Sequence, residues 1–208
     1  MKIERIVNSF LQSNTFILSE PGENDVYLVD VGDIEPLMER IGNKNVSGVF
    51  LTHAHYDHIY GINRLIDIFP DCTIYGSRST LMALKNDKLN FSYYYEKPLL
   101  YKGTHEEIVK DGGTLYLWGK NQIRSLMTPG HTLGSTCYIY ENNIFTGDAY
   151  IPNVPVVTKL KEGDKVKAEK SVETIQRLLS EGTVIHPGHL FQYKMTDGIL
   201  QPICTIIE

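Results

Sequence analysis

Cysteine is scarce in this sequence, and long apolar runs are missing. The 208 residues include only Cys72, Cys137 and Cys204, which are odd in number, far apart and never in a CxxC pair. This pattern argues against a disulfide framework and against a thiolate zinc site. No apolar stretch approaches the roughly 18 residues that a membrane-spanning helix needs, and the N-terminal segment lacks the apolar region of a signal peptide. We therefore expect a cytoplasmic protein with buried, reduced thiols.

The sequence also lacks an excess of positive charge. It has 20 Lys and Arg against 25 Asp and Glu, a formal net charge of −5. Proteins that bind a nucleic acid usually carry a basic surface patch. Repeats, low-complexity tracts and Pro/Gly/Ser linkers are absent as well, and this length suits one domain. We predict a single domain over residues 1–208 with a small-molecule substrate, rather than a nucleic acid or a membrane, as its partner.

Short β-branched and aromatic runs alternate with helical patterns along the chain. Strands are predicted at 2–7, 14–19, 26–31, 46–52, 72–76, 114–118, 122–128, 136–148 (with a hairpin turn near Asn142–Asn143) and 183–186. Helices are predicted near 34–41, where Gly42 suits the C-terminal cap, and at 59–69, 79–86 and 165–180. Residues 88–104 fit neither pattern. The order indicates an α+β protein, in which two sheets face each other and helices lie outside.

The most informative segment is His53-Ala-His55-Tyr-Asp57-His58, which directly follows an apolar strand. Four potential ligands in six residues at the end of a strand can point into one common space. Imidazole and carboxylate groups suit zinc, iron or manganese. The alternative interpretation of this segment is a solvated polar loop.

Three later segments each place one potential ligand beside a glycine after a strand. They are Pro129-Gly130-His131, Thr146-Gly147-Asp148 and Pro187-Gly188-His189. Each is weak alone, because a single His or Asp at a strand end is more often structural. Together with the first segment they contain five of the seven histidines. The sequence therefore predicts one metal centre assembled from all four segments.

The motifs THAHYDH, PGHTLGS, TGDA and the late PGH resemble the ordered motifs of the metallo-β-lactamase superfamily, and within it the glyoxalase II-like thioesterases. The resemblance runs from about residue 14 to residue 190 and implies an αββα sandwich of two mixed sheets with metals at the edge between them. It implies two divalent ions, zinc first and iron or manganese as alternatives. His53, His55 and His131 would hold one ion, Asp57, His58 and His189 the other, and Asp148 would bridge both.

The resemblance also implies a reaction. Two adjacent cations lower the pKa of a shared water, and the resulting hydroxide attacks the carbonyl of a small ester or thioester. Asp57 would be catalytic, orienting the hydroxide as well as binding metal. A thiolate leaves with little help from a general acid, which fits thioester cleavage. No substrate-binding residue follows from the motifs.

The sequence differs from two groups of the superfamily, and these differences narrow the range of expected substrates. Two-zinc β-lactamases usually carry Cys where this chain has Asp148, and they are exported, so β-lactam hydrolysis is not expected. Only 19 residues follow His189, too few for the helical region with which glyoxalase II enzymes hold glutathione. The segment after Asp148 also lacks the Gly- and Arg-containing stretch of that subgroup.

Other functions remain open from the sequence. A persulfide dioxygenase-like oxidoreductase shares HxHxDH but binds a single iron through two His and one Asp. A phosphodiesterase or nuclease is disfavoured by the acidic charge, and a non-catalytic binding module would have lost ligands, whereas none is lost here.

A few features outside the motifs carry two interpretations each. The aromatic residues Phe91, Tyr93–Tyr95 and Tyr101 either line a substrate pocket or lid, or pack on the surface. His186 is expected to be structural rather than to support the metal ligands, and His105 to be solvated. The charged residues of 159–170 form a solvated face or approach an anionic substrate tail.

Overall fold

In the computed structural model, which describes residues 1–119 and 121–203, the strands form two mixed sheets. The first sheet contains, side by side and in chain order, β1 (Lys2–Val7), β2 (Asn14–Ser19), β3 (Asp25–Val29), β4 (Asn45–Phe50), β5 (Thr73–Gly76) and β6 (Glu106–Ile108). The pairs from β1 to β3 are antiparallel, and those from β3 to β6 are parallel. The first sheet thus ends in an edge strand, β6, that the sequence pattern did not indicate.

The second sheet is also ordered along the chain. It contains β7 (Thr114–Leu117), β8 (Asn121–Met127), β9 (Thr136–Tyr140), β10 (Asn143–Gly147), β11 (Val184–Pro187), β12 (Gln192–Thr196) and β13 (Ile199–Ile203). All of its pairs are antiparallel except β10 with β11. Because that pair is parallel, the residues that follow β10 and β11 emerge at the same edge of the sheet.

Within the described residues, five α-helices connect these strands. They are α1 (Ile34–Ile41), α2 (Tyr56–Ile59), α3 (Ile62–Ile68), α4 (Arg78–Leu84) and α5 (Lys165–Gln176), with a 3-10 turn at Ser92–Tyr94. α1 ends as predicted at Gly42, which has a φ of 60° and donates its N–H to the Met38 carbonyl. None of the helices in the described ranges combines the length and apolar composition that crossing a membrane requires.

Three apolar clusters define the layers of the molecule. Successive residues of β2 point to opposite sides: Ile17 packs with the α1 and α3 side chains, whereas Phe16 and Leu18 pack against the second sheet. In the second sheet, Tyr138 points towards the first sheet, and its neighbours on β9 pack with Ile175 of α5. Both sheets are therefore covered on both faces, which confirms the predicted αββα sandwich.

The predicted elements differ from the observed ones where tertiary contacts intervene. The predicted helix 59–69 is interrupted at Gly61, whose N–H donates to the Val31 carbonyl, and a side chain there would overlap the Gly32 carbonyl. The helix predicted over 165–180 ends at Gln176. The strand predicted over 26–31 ends at Val29, because Asp30 turns into the left-handed region with a φ of 56°.

The C-terminal hairpin of β12 and β13 was not predicted. These two strands expose much of their surface, so their sequence lacks the clean alternation of buried and exposed positions that signals a strand. Cys72 and Cys137 are buried and unpaired, as expected, whereas Cys204 lies outside the described residues.

Candidate metal centre

The seven residues predicted as ligands come together at one edge of the sandwich. His53 and His55 follow β4, and Asp57 and His58 lie on the short helix α2. His131 lies in the loop after β8, whereas Asp148 and His189 follow the parallel strands β10 and β11. Strand ends from both sheets thus contribute to one cluster, as the motifs predicted.

One group of possible ligands is formed by three buried histidines, His53, His55 and His131, whose ligand atoms all lie within 4.8 Å of one another. The Nδ1 atom of His55 is 3.0 Å from Nε2 of His131. Two nitrogen ligands of one tetrahedral ion, each at 2.0–2.1 Å, are separated by roughly 3.3 Å. The spacing is therefore close to that of a shared cation.

A second group consists of Asp57, His58 and His189, again with ligand atoms within 4.8 Å of one another. His58 Nε2 lies 3.3 Å from His189 Nε2. Oδ2 of Asp57 lies 3.4 Å from His58 Nε2 and 3.2 Å from His189 Nε2. This group has the mixed nitrogen and oxygen donors that zinc, iron and manganese accept.

Asp148 lies between the two groups. Its Oδ1 is 3.5 Å from His58 Nε2, and its Oδ2 is 3.5 Å from His131 Nε2 and 3.6 Å from His189 Nε2. Its two oxygens therefore face ligands of both groups, which is the arrangement that a bridging carboxylate requires.

Asp30 sets the tautomers of one histidine in each group, and sequence reasoning missed it. This buried carboxylate accepts from His58 Nδ1 at 2.9 Å and from the Thr52 hydroxyl at 2.7 Å. The Thr52 hydroxyl donates its one hydrogen to Asp30, so it can only accept a hydrogen bond from Nδ1 of His53, which lies 3.0 Å away. His53 and His58 thus both carry a proton on Nδ1 and direct Nε2 to the site. An acidic residue between an apolar strand and Gly32 was the available signal.

His131 is held in the same tautomer by a different group. Its Nδ1 lies 2.8 Å from the carbonyl oxygen of Val157, and a carbonyl can only accept, so Nδ1 carries the hydrogen. Nε2 of His131 therefore faces the cluster, 3.0 Å from Nδ1 of His55 and 3.5 Å from Oδ2 of Asp148. The backbone carbonyl of Val157 consequently takes part in orienting a possible ligand.

The electrostatics of the cluster separate neutral from charged groups. Burial, reinforced by the neighbouring His58, lowers the pKa of His53 well below its usual value, and burial lowers that of His55 to about 3. Burial also lowers the pKa of His58, but Asp57 and Asp148 outweigh it and hold that pKa well above the usual value. Burial raises the pKa of Asp148, yet His58 and His189 keep it well below the usual value. Two neutral imidazoles and an ionised carboxylate thus face the centre.

Two acceptor atoms of the cluster, Nε2 of His53 and Oδ1 of Asp148, are buried and have no hydrogen-bond partner among the described residues. A buried polar atom without a partner costs about 1–3 kcal/mol, so both atoms call for a positive partner. The donor set, the spacing and these atoms all fit two divalent cations.

Close backbone approach allows the cluster to form. A side chain at Gly188 would overlap Oδ1 of Asp148 and crowd the His58 ring. Asn14 fixes the same loop, because its Nδ2 donates to the carbonyls of Pro187 at 2.9 Å and Leu190 at 3.1 Å. Asn14 is a second residue that the sequence motifs did not reveal.

Aromatic residues border one side of the cluster. The Phe91 ring lies edge-on to His55, with centroids 4.9 Å apart, and Tyr95 stacks on Tyr56 at 4.8 Å. Tyr94 is 74% exposed, whereas Tyr101 belongs to the apolar core. Of the predicted aromatic group, Phe91 therefore contacts a proposed ligand, Tyr95 packs on Tyr56 of α2, and Tyr101 lies in the core.

Two histidines lie apart from the cluster. His186 is buried between Asn143 and Gln192, with ring nitrogens 2.9 Å and 2.7 Å from their side-chain amides. Its expected structural role is confirmed. His105 is exposed, also as predicted.

Residues 159–170 begin as a loop and continue into α5. Lys159, Lys165 and Glu169 line a second cavity, which also borders Ile151 and residues 154–156. Their mixed charges do not form a purely basic surface.

The sequence model of the metallo-beta-lactamase superfamily matches residues 8–189. Several solved structures resemble this fold. BLEG-1, a B3 metallo-beta-lactamase, has 24% identity and a TM-score of 0.84, over 93% of this chain and 94% of that one. TTHA1623, solved in a di-iron-bound form, has 21% identity and a TM-score of 0.77, over 92% and 94% of the two chains. ETHE1 from Myxococcus xanthus has 21% identity and a TM-score of 0.72, over 97% and 80%.

These identities are low, so the structural matches establish the fold and not the substrate. The family model covers most of the sequence, including all seven clustered residues. The chain therefore belongs to the metallo-β-lactamase superfamily.

Proposed function

We propose that this protein is a di-metal hydrolase that cleaves a small ester or thioester. The observation that carries the proposal is the position of Asp148, whose two oxygens face ligands of two complete three-residue groups. Most members of the superfamily are metal-dependent hydrolases. The proposed ligands are His53, His55 and His131 for one ion and Asp57, His58 and His189 for the other, with Asp148 shared.

The ions, when bound, supply a nucleophilic hydroxide near neutral pH and polarise a carbonyl group. The residues of the chain hold that chemistry in place. Asp57 is the proposed catalytic residue: its Oδ2 faces His58 and His189, and as an ionised carboxylate it orients a water by accepting a hydrogen bond. Asp30 and Val157 keep His58 and His131 in the tautomers that direct Nε2 inward.

The surroundings favour an acyl substrate over a phosphodiester. A cleft of about 320 Å³ opens onto His131, Asp148 and His189, and its other lining residues are apolar, with no Lys or Arg to meet a phosphate. In the proposed reaction the bond from the acyl carbon to sulfur or oxygen breaks, the water oxygen joins the acyl carbon, and the leaving group takes a proton. A thiol has a pKa near ~8.5 and leaves without a strong acid, which favours a thioester.

The glyoxalase II-like motifs support thioester chemistry, but glutathione is not part of the proposal. Residues 190–203 contain the hairpin of β12 and β13. Zinc is the proposed metal, and iron or manganese would suit the same donors.

Metal content tests the proposal first. Protein purified without added metal is expected to contain about two equivalents of zinc, or of zinc mixed with iron and manganese, by elemental analysis. A single equivalent of iron together with oxygen uptake on a persulfide would instead identify a dioxygenase-like oxidoreductase. No bound metal after reconstitution would refute the site itself.

Variants test the assigned roles. Asp148→Ala should lower the content of both metals, since it faces both groups, and Asp57→Ala should abolish thioester and ester hydrolysis with the fold retained. The matched control is Asp67→Ala, because Asp67 is an exposed carboxylate on α3 and is not one of the proposed ligands. Near-normal turnover in Asp57→Ala, or full metal content in Asp148→Ala, would contradict the assignments.

A further inference from the structure

The segment Ile151–Val157 forms one wall of the cleft that opens beside the metal ligands. Val154 donates its N–H to the Ile151 carbonyl at 3.0 Å, and Asn153 turns the chain in the left-handed region with a φ of 64°. The segment ends at Val157, whose carbonyl accepts the hydrogen bond from His131 at 2.8 Å. The wall is thus tied directly to a proposed ligand.

The lining of this cleft is almost purely apolar. Three of its nine residues are the proposed ligands His131, Asp148 and His189. The other six are Ile151, Val154, Pro155, Val156, Val157 and Leu190. The polar and charged side chains of the lining are therefore the three proposed ligands themselves.

Several of these apolar side chains are exposed. Val154 is 39% exposed, Val157 52% and Leu190 48%, so a bound alkyl chain would remove apolar surface from water on both sides of the cleft. The volume of about 320 Å³ lies at the lower end of the ~300–1,000 Å³ that small-molecule sites occupy. The cleft has room for a short alkyl chain.

We propose that this cleft selects substrates whose acyl group is an uncharged alkyl chain of several carbons. The inference rests on the proposed hydrolase function. The acyl group is assigned to this cleft because its apolar residues line the same space as His131, Asp148 and His189, beside which the carbonyl would be attacked. A carboxylate or ammonium group on the acyl chain would meet no opposite charge among the six apolar residues and would lose its hydration.

A chain-length series tests the selectivity. Acetyl, butanoyl and hexanoyl thioesters of one small neutral thiol should show kcat/KM rising roughly three- to fourfold per methylene, as expected for burial of a CH₂ group. A hexanoyl analogue that ends in a carboxylate should lose that gain. If the acetyl and hexanoyl thioesters react with equal kcat/KM, the acyl assignment is wrong.

Two variants place the effect in the cleft. Val154→Asp should cut the hexanoyl-to-acetyl ratio at least tenfold by charging the wall, and Val154→Phe should cut it by filling the space while staying apolar. Val166→Asp is the matched control, because Val166 is 60% exposed on α5 and does not line the cleft. A ratio that is unchanged in both Val154 variants would overturn the proposal.

Binding without turnover separates this inference from the proposed function. Calorimetric titration of the purified, metal-containing protein with hexanoate and with acetate should show at least tenfold tighter binding of hexanoate, lost in Val154→Asp. If no ester or thioester is hydrolysed but this difference is found, the hydrolase proposal fails and the alkyl site stands. If hydrolysis is found without the difference, the alkyl site fails alone.

Discussion

Nδ1 of His58 lies 2.9 Å from Oδ2 of Asp30, and both side chains are buried. The same carboxylate oxygen accepts from Thr52, which in turn accepts from His53. Asp30 thus orients one proposed ligand of each three-residue group: His58 directly, and His53 through Thr52. Loss of such an outer contact typically weakens metal binding by roughly 10–100-fold.

Asp30→Asn should therefore weaken the binding of both metals by roughly 10–100-fold with the fold intact. Asn preserves the side-chain volume and tolerates the left-handed backbone at this position, where φ is 56°. Both carboxylate oxygens of Asp30 accept hydrogen bonds, whereas the amide of Asn has only one acceptor oxygen. Metal affinity is measured by competition with a chromogenic chelator. Asp33→Asn is the control, because Asp33 bonds to Ser9 and Tyr60 and not to any proposed ligand. Equal loss in both variants would contradict the role of Asp30.

Gly188→Ala should displace Asp148 and reduce metal content. The added methyl group would overlap Oδ1 of Asp148, and relieving such a clash costs about 1–3 kcal/mol. Elemental analysis and thermal unfolding measure the two effects. In Gly22→Ala, the methyl group meets no atom within 4 Å, although φ is +87°, so only stability should fall. Full metal content in Gly188→Ala would show that Asp148 is not held where the structure places it.

Tyr138→Phe should lower the free energy of unfolding by about 1–2 kcal/mol. The buried Tyr138 hydroxyl donates to the Leu51 carbonyl at 3.0 Å, just before Thr52 and His53, and Phe leaves that carbonyl without this donor. Urea denaturation provides the measurement. Tyr116→Phe, on a side chain that is 63% exposed, should change stability by less than ~0.5 kcal/mol. No difference between the two variants would mean that water replaces the lost donor.

His186 should make the protein less stable in mild acid. Burial lowers the pKa of His186 from 6.5 to about 3. Between these two pH values its imidazole is therefore protonated in the unfolded chain and neutral in the folded chain. The contribution to stability is complete above pH 6.5 and falls as the pH falls towards 3, reaching a loss of about 2 kcal/mol at pH 5. His186→Gln removes this titration while keeping an amide donor and acceptor. Urea unfolding of metal-free wild type and variant at pH 7 and pH 5 should therefore show a smaller loss in the variant, and identical losses would refute the prediction.

The sequence alone was sufficient to predict the layer order, and it indicated seven candidate ligands for the proposed site. Short apolar strands and a local cluster such as His53-Ala-His55-Tyr-Asp57-His58 are encoded by neighbouring residues, so spacing along the chain reveals them. The later ligands could be placed because each follows a strand and a glycine. The structure brings all seven together at one edge, and their roles as ligands remain a proposal for metal analysis to test.

The tertiary structure decided what depends on residues far apart in the chain. Asp30 becomes important only when β3 and β4 place it against Thr52 and His58, and Gly61 interrupts a regular helical pattern only because Gly32 lies against it. The strands β12 and β13 form despite a weak pattern, because they pair at the sheet edge. The apolar cleft likewise arises from a segment with no motif, whose Val157 carbonyl accepts a hydrogen bond from Nδ1 of His131. Local spacing determines the possible ligands, whereas packing between distant segments fixes their protonation and the space beside them.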